Sequence, residues 1–283
     1  MLLVELIVLG VAYGLLYGVL ALGLTLVWGV MKVANIAHGD FVTIGAYASY
    51  WLFVLSGVNP ILSLLFTIPF GFALGAASYL TLVRRVVDSP ELMPLFMTFG
   101  LSTLISSLLL YLYSPTQRGV PISFAPLDGL GVILPGGVAI AATYAVVAAV
   151  ALRLFLQKTF LGKAIRAVME NRASATLMGI NPGRVGLISF GIGISIATSV
   201  GSMIVLLQSF TPLMGGDFTL LSFVIVVLGG LGSPIGALVG GVVLGVVENI
   251  ASLWLNAAVT PAIGFVVLVI VLIVRPYGLM GSK

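Results

Sequence analysis

The chain contains no cysteine and a single histidine, His38. The first absence excludes disulfides, thiolate metal sites and cysteine nucleophiles. The second argues against zinc chemistry. Charge is the other scarcity. Only 7% of the residues are charged, against about 25% in an ordinary soluble domain. Twelve Lys+Arg and eight Asp+Glu cannot keep a 29.4 kDa globule in solution, so most of its surface faces something other than water. Signatures of hydrolysis are missing too. The single Gly-Lys pair, Gly162-Lys163, is followed by Ala164, so there is no P-loop. There is no Gly-x-Ser-x-Gly and no pair of intramembrane aspartates. No catalytic residue, metal or cofactor is expected, and the chain reads as a non-enzyme.

What is present is apolar. Hydrophobic residues make up 60% of the 283, and the mean hydropathy is +1.27. The apolar runs are continuous rather than alternating, which predicts spanning helices and not a β-barrel. The expected fold is all-α, a polytopic membrane bundle of about eight or nine transmembrane helices at about 20 residues each. It forms a single domain over 1–283, with a cytoplasmic loop at about 157–184. Candidate spans cover 3–31, 41–56, 60–83, 93–113, 133–156, 185–207, 218–230, 234–255 and 261–274. The seventh is short and is expected to end inside protein rather than lipid. A cleaved signal peptide is not expected, since the apolar start at Leu2 lacks a basic leader.

Basic residues set the orientation. Lys32, Arg84, Arg85, the loop from Arg153 to Arg184, Arg275 and Lys283 all fall on one side of a nine-span topology, leaving Arg118 opposite. That bias places the C-terminus in the cytoplasm. The net charge of +4 is therefore a topology signal and not a nucleic-acid signature. Glycine is abundant, 35 in all. Gly10, Gly14 and Gly18 repeat every fourth residue, as do Gly71 and Gly75, and Gly232, Gly236 and Gly240. Such spacing lets helix backbones approach closely in lipid. His38-Gly39-Asp40-Phe41 recurs as Gly215-Gly216-Asp217-Phe218. On this topology the first copy sits inside and the second outside, which suggests two inverted four-span halves around the fifth span.

Four polar constellations stand out. Asn35, His38 and Asp40 form the densest polar cluster near the membrane. They read either as part of a translocation path or as a helix break at the surface. The stretch 162–182, in the most basic loop, predicts two short helices. Ile165, Val168 and Met169 share a face of the first, Asn171 caps the second, and Gly179 stops it. It reads as a docking surface or as a helix lying on anionic lipid. Gly229-Gly230-Leu231-Gly232-Ser233-Pro234-Ile235-Gly236 breaks a span. It is a tight helix junction or a gate hinge, with Gly230, Gly232 and Gly236 as the hinge candidates. Glu248 and Asn249 are a buried pair in span eight, suited to a substrate ammonium or to structural hydrogen bonding.

Three blocks carry a resemblance. The stretch from Gly29 through Asn35-Ile36-Ala37-His38-Gly39-Asp40 to Phe41 resembles the N-terminal signature of bacterial branched-chain amino acid ABC importer permeases of the LivH/LivM type, closer to the LivH branch. Arg166-Ala167 through Asn171 to Gly179-Ile180-Asn181 resembles their cytoplasmic coupling loop. The run from Gly229 to Ala237 resembles their late glycine motif. The order and spacing match over almost the whole chain. The resemblance implies a multi-pass subunit of the bacterial inner membrane that forms the translocation path of an ATP-driven importer. Its implied partners are a second, LivM-like permease, two cytoplasmic ABC ATPases and a periplasmic substrate-binding protein. It assigns Arg166, Ala167, Asn171, Ala175 and Gly179 to ATPase coupling. Family members carry branched-chain amino acids, other amino acids, urea or short amides. The rival from another class is a stand-alone ion-coupled secondary transporter using Asp40, Asp217 or Glu248.

Overall fold

A computed structural model describes residues 2–90, 92–129, 132–256 and 260–281. Five helices start at a side-chain cap that the sequence supplies. Asn59 caps Pro60–Val86 (α3) by accepting from the Ile61 N–H at 3.0 Å, with Pro60 preset for the first turn. Asn181 and Ser233 do the same, each before a proline, for Pro182–Ile204 (α8) and Pro234–Ala251 (α10). Thr159 caps Phe160–Glu170 (α6) and Asn171 caps Arg172–Leu177 (α7). The remaining helices are Leu2–Met31 (α1), His38–Ser56 (α2), Leu92–Tyr113 (α4), Gly136–Lys158 (α5), Gly215–Gly229 (α9) and Thr260–Val274 (α11). Six of them, α1, α3, α4, α5, α8 and α10, are long and apolar enough to cross a membrane, and α9 is a shorter apolar helix. The protein is an all-α polytopic bundle. Among the described residues one small sheet pairs Leu127–Gly129 (β1) antiparallel with Val132–Leu134 (β2).

The bundle has a basic end. Gly29 near the end of α1 faces Met169 of α6. Arg172 of α7 pairs with Asp88 beyond α3 at 2.5 Å. Arg153, Arg166, Pro234 and Ile235 line one cleft, which brings the middle of α6 and the start of α10 together with the end of α5. The segment after α11 returns to α9, where Leu279 and Met280 donate to the Leu228 and Gly229 carbonyls at 2.8 and 3.0 Å. Lys32, Arg84, Arg85, Arg153, Lys158, Lys163, Arg166, Arg172, Arg184 and Arg275 thus gather at this end; Lys283 lies outside the described residues. Arg118 stands at the other end. Its backbone bridges Phe210 (2.9 and 2.8 Å), and its guanidinium sits 5.6, 5.7 and 5.9 Å from the rings of Tyr50, Trp51 and Tyr113.

Two seams hold the core. In the first, α1 and α10 run antiparallel with backbones nearly touching: Gly10 meets Gly245 and Val246, Gly14 meets Gly241 and Val242, and Gly18 meets Leu238. The facing glycines on α10 are Gly241 and Gly245, whereas Gly236 and Gly240 turn toward α9. In the second, α3 runs antiparallel to α8, with Gly75 on Gly191 and Gly71 on Ser195 and Thr198. Hydroxyls reinforce this seam: Thr198 donates to the Thr67 carbonyl at 3.0 Å, and Ser202 to Thr67 Oγ1 at 3.0 Å. Each seam joins the first helix of one four-helix group to the third helix of the other. The groups are α1–α4 and α8–α11, with α5 between them. The self-paired contacts α1 with α8 and α2 with α9 complete an inverted-repeat pattern.

The placement of the two matching motifs differs from the sequence expectation. They do not lie on opposite sides; they touch. After α1 the chain turns back into the bundle, so α2 begins beside Leu20, eleven residues short of the end of α1. That is about 16 Å of helix. The segment after α8 likewise dips inward, so α9 begins against α2, with Gly215 packed on Asp40 and Gly39 on Thr219. The physical reason is length. α9 has only 15 residues and α1 has 30, so α9 is completed by irregular backbone, which packs into the protein at Phe210, Pro212 and Met214 while Gln208, Ser209 and Leu213 stay exposed.

Candidate functional site

The first polar group lies where α2 and α9 meet. Thr219 Oγ1 accepts from the Gly39 N–H at 2.9 Å and donates to the Ile36 carbonyl at 2.9 Å, tying one helix start to the other. A methyl at Gly39 or Gly215 would overlap the facing helix, so both positions demand glycine. His38 is fully buried, and its Nε2 donates to the Leu20 carbonyl at 3.1 Å. Gly23 makes room for the ring: a methyl there would stand 3.1 Å from His38 Cε1. Asp40 is 2% exposed, in the first turn of α2 and against the first turn of α9. A carboxylate between two helix N-termini is favourably placed against both macrodipoles. Asn35 is fully buried, and among the described residues neither of its amide atoms has a hydrogen-bond partner, nor does Asp40 Oδ2 or His38 Nδ1.

The glycine turn lies at the basic end. Gly230 and Gly232 adopt positive φ of 104° and 82°, which explains glycine at both. Gly236 packs on Gly229, and Gly230 is held against Met280 and Gly281. The turn is therefore clasped by the C-terminal segment.

The second polar group lies apart from the first. Glu248 lines a cavity of about 510 Å³ among α1, α9, α10 and α11, together with Tyr17, Gln208, Asp217, Leu220, Leu221 and Val224. Asn249 does not line it, and donates instead to the Gly245 carbonyl at 2.9 Å. The structure thus brings Asn35, His38 and Asp40 to one place and Glu248 to another. Tyr17, Gln208 and Thr219 escaped the sequence reading. Their one signal was a polar side chain next to an apolar run, which is common.

The third group is α6–α7. Ile165 and Val168 are buried against the bundle, as is Ala175 of α7. Arg166 donates Nε to the Leu156 carbonyl at 3.0 Å, and Ala167 is half-buried. Asn171 accepts from the Ser174 N–H at 2.9 Å, and Gly179 ends the segment at φ 82° with nothing near it. Beside Gly179, Leu177 and Met178 are 89% and 84% exposed. Two short helices thus carry a bare apolar tip on a base packed into the core.

A family described as "Branched-chain amino acid transport system / permease component" matches residues 6–274. The high-affinity branched-chain amino acid transport system permease protein LivH of Salmonella typhimurium is 30% identical, over 96% of this chain and 93% of its own. The corresponding protein BraD of Pseudomonas aeruginosa is 27% identical over 96% and 94%. A probable LivH of Methanocaldococcus jannaschii is 30% identical over 96% and 90%. No solved structure matches significantly. With the match running through both four-helix groups and the α6–α7 segment, the chain belongs to the family of branched-chain amino acid transport system permease components.

Proposed function

We propose that the chain, as one permease domain over 1–283, is a transmembrane subunit of an ATP-driven importer for branched-chain amino acids in the bacterial inner membrane. It pairs with a second permease, receives substrate from a periplasmic binding protein and is driven by two cytoplasmic ABC ATPases. The observation that carries this reading is α6–α7. An exposed apolar tip at Leu177 and Met178, on helices rooted in the core through Ile165, Val168 and Ala175, suits transmission of force from a docked protein. Contact between Met169 and Gly29 gives that force a route into α1. The basic end is then cytoplasmic, the N-terminus is outside, and the chain crosses nine times. The meeting of α2 and α9, with Asn35, His38 and Asp40, is the pivot between the two repeats. The clasped turn at Gly230, Gly232 and Gly236 is the hinge of α9 on α10. A docked ATPase moves this bundle only through contacts that differ between its two states.

The test is co-purification from mild detergent of the tagged chain expressed with its neighbouring genes. Two P-loop ATPases and a second permease are expected, and Met178→Asp should remove the ATPases while the chain stays in the membrane. A chain that transports alone in liposomes would overturn the reading in favour of an ion-coupled carrier.

A further inference from the structure

The cavity beside Glu248 has a chemistry that the fold itself does not use. Glu248 sits three residues before the end of α10, on the remote side of the bundle from α6–α7. Among the described residues its carboxylate makes no hydrogen bond and no ion pair. An uncompensated carboxylate in a membrane helix is costly. It is not a cap, and among the described residues no basic side chain lines the cavity. Tyr17 and Glu248 belong to antiparallel helices, and each side chain leans toward the N-terminus of its own helix, so the two lean toward each other. Gly264 leaves the carboxylate uncovered: even a methyl there would stand 3.6 Å from Glu248 Oε1. The facing wall, from Leu220, Leu221 and Val224 of α9, is aliphatic, and Leu244 lies one turn before Glu248 on α10 itself. Asp217 and Gln208 are exposed at the rim. At about 510 Å³ the space falls in the range of small-molecule sites.

We propose that this cavity is a substrate subsite for an aliphatic α-amino acid, with the ammonium on Glu248, the carboxylate on the Tyr17 hydroxyl and the Gln208 amide, and the side chain on Leu220, Leu221 and Val224. The assignment rests on the transport function proposed above and deepens it. Urea and neutral amides lack the cation that Glu248 requires, so the site selects amino acids over them. Asp217 at the mouth adds to a negative field that gathers cations.

The absence of cysteine makes the test direct. Leu220→Cys is introduced into the full-length chain, solubilised with its co-purified partners. It is treated with a cationic and an anionic methanethiosulfonate, each rate being normalised to a free thiol, and labelling of this chain is read by mass. Phe265→Cys serves as a second position on the same cavity. The cationic reagent should react about tenfold faster, and Glu248→Gln should remove most of that preference. Millimolar L-leucine should slow labelling, whereas 4-methylpentanoate, which keeps the side chain and carboxylate but lacks the ammonium, should not. An unchanged preference in Glu248→Gln, no protection by leucine, or equal protection by both compounds would overturn the assignment. Labelling needs no ATP, so failure of the importer reading, seen as missing ATPase subunits, is a separate result.

Discussion

A methyl group at Gly14 tests the α1–α10 seam, because two known effects of Gly→Ala oppose each other there. In an unhindered helix interior, Gly→Ala stabilises by about 0.8–1.0 kcal/mol. At position 14 the new carbon would lie 2.6 Å from the Gly241 oxygen and 2.7 Å from Val242 Cα. Non-bonded carbons prefer about 3.5–4.0 Å, so the helices must part by about 1 Å. All three atoms close to it are backbone, so no side chain can swing aside. Gly10, at 2.6 Å, and Gly18, at 3.1 Å, lie along the same seam and would lose contact together. Overpacking of this kind costs about 1–3 kcal/mol. Because the clash is entirely with backbone, the upper part of that range applies, and the net is about 1–2 kcal/mol destabilising. At roughly 2–4 °C per kcal/mol, Gly14→Ala should melt about 2–8 °C lower. The control is Gly100→Ala in α4, where nothing lies within 4 Å of the new methyl. There the helical gain should stand alone, a rise of about 2–4 °C. The assay is thermal loss of the monodisperse peak of the detergent-solubilised, fluorescently tagged chain. If Gly14→Ala melted at or above the unaltered protein while Gly100→Ala rose, the close approach of α1 and α10 would be refuted.

Thr219→Val keeps the side-chain shape and orphans the Gly39 N–H and the Ile36 carbonyl; it should lower stability by about 1–3 kcal/mol, with Thr219→Ser near normal in the same melting assay. His38→Ala removes the bond to Leu20 and empties the space beside Gly23, so both melting temperature and uptake should fall, and unchanged values in both would deny the ring its role as a latch. Gly179→Arg places a Cβ at positive φ, which costs about 1–2 kcal/mol, and adds bulk beside Leu177 and Met178. It should abolish ATP-driven uptake while the chain remains in the membrane, and normal uptake would sink the docking assignment. Asp88→Asn breaks an exposed ion pair with Arg172 and should change stability by less than about 1 kcal/mol, measured by the same melt.

Much was legible without coordinates. The shortage of charge and the continuous apolar runs determined a helical membrane protein, because hydrocarbon tolerates only backbone that satisfies itself. Proline marked where helices begin: the expected spans at 60 and 234 open at Pro60 and Pro234 as read, whereas α8 opens at Pro182, three residues before the expected 185. The α6–α7 segment was equally plain, since it borders water and its polar and apolar faces alternate with helical period. Basic residues predicted one shared end, and ten described ones are found there. Inside the bundle that signal fades. Lipid-facing and protein-facing positions are both apolar, so periodicity no longer says which way a helix turns. The sequence showed fours of glycine in α10 at Gly236 and Gly240, but only packing decided that Gly241 and Gly245 are the ones α1 touches. Depth was likewise decided by tertiary structure. His38-Gly39-Asp40 and Gly215-Gly216-Asp217 face each other because two irregular segments fold back into the protein, where Thr219 and the Leu20 carbonyl satisfy them. Those partners lie far away in sequence, so no local pattern announces them.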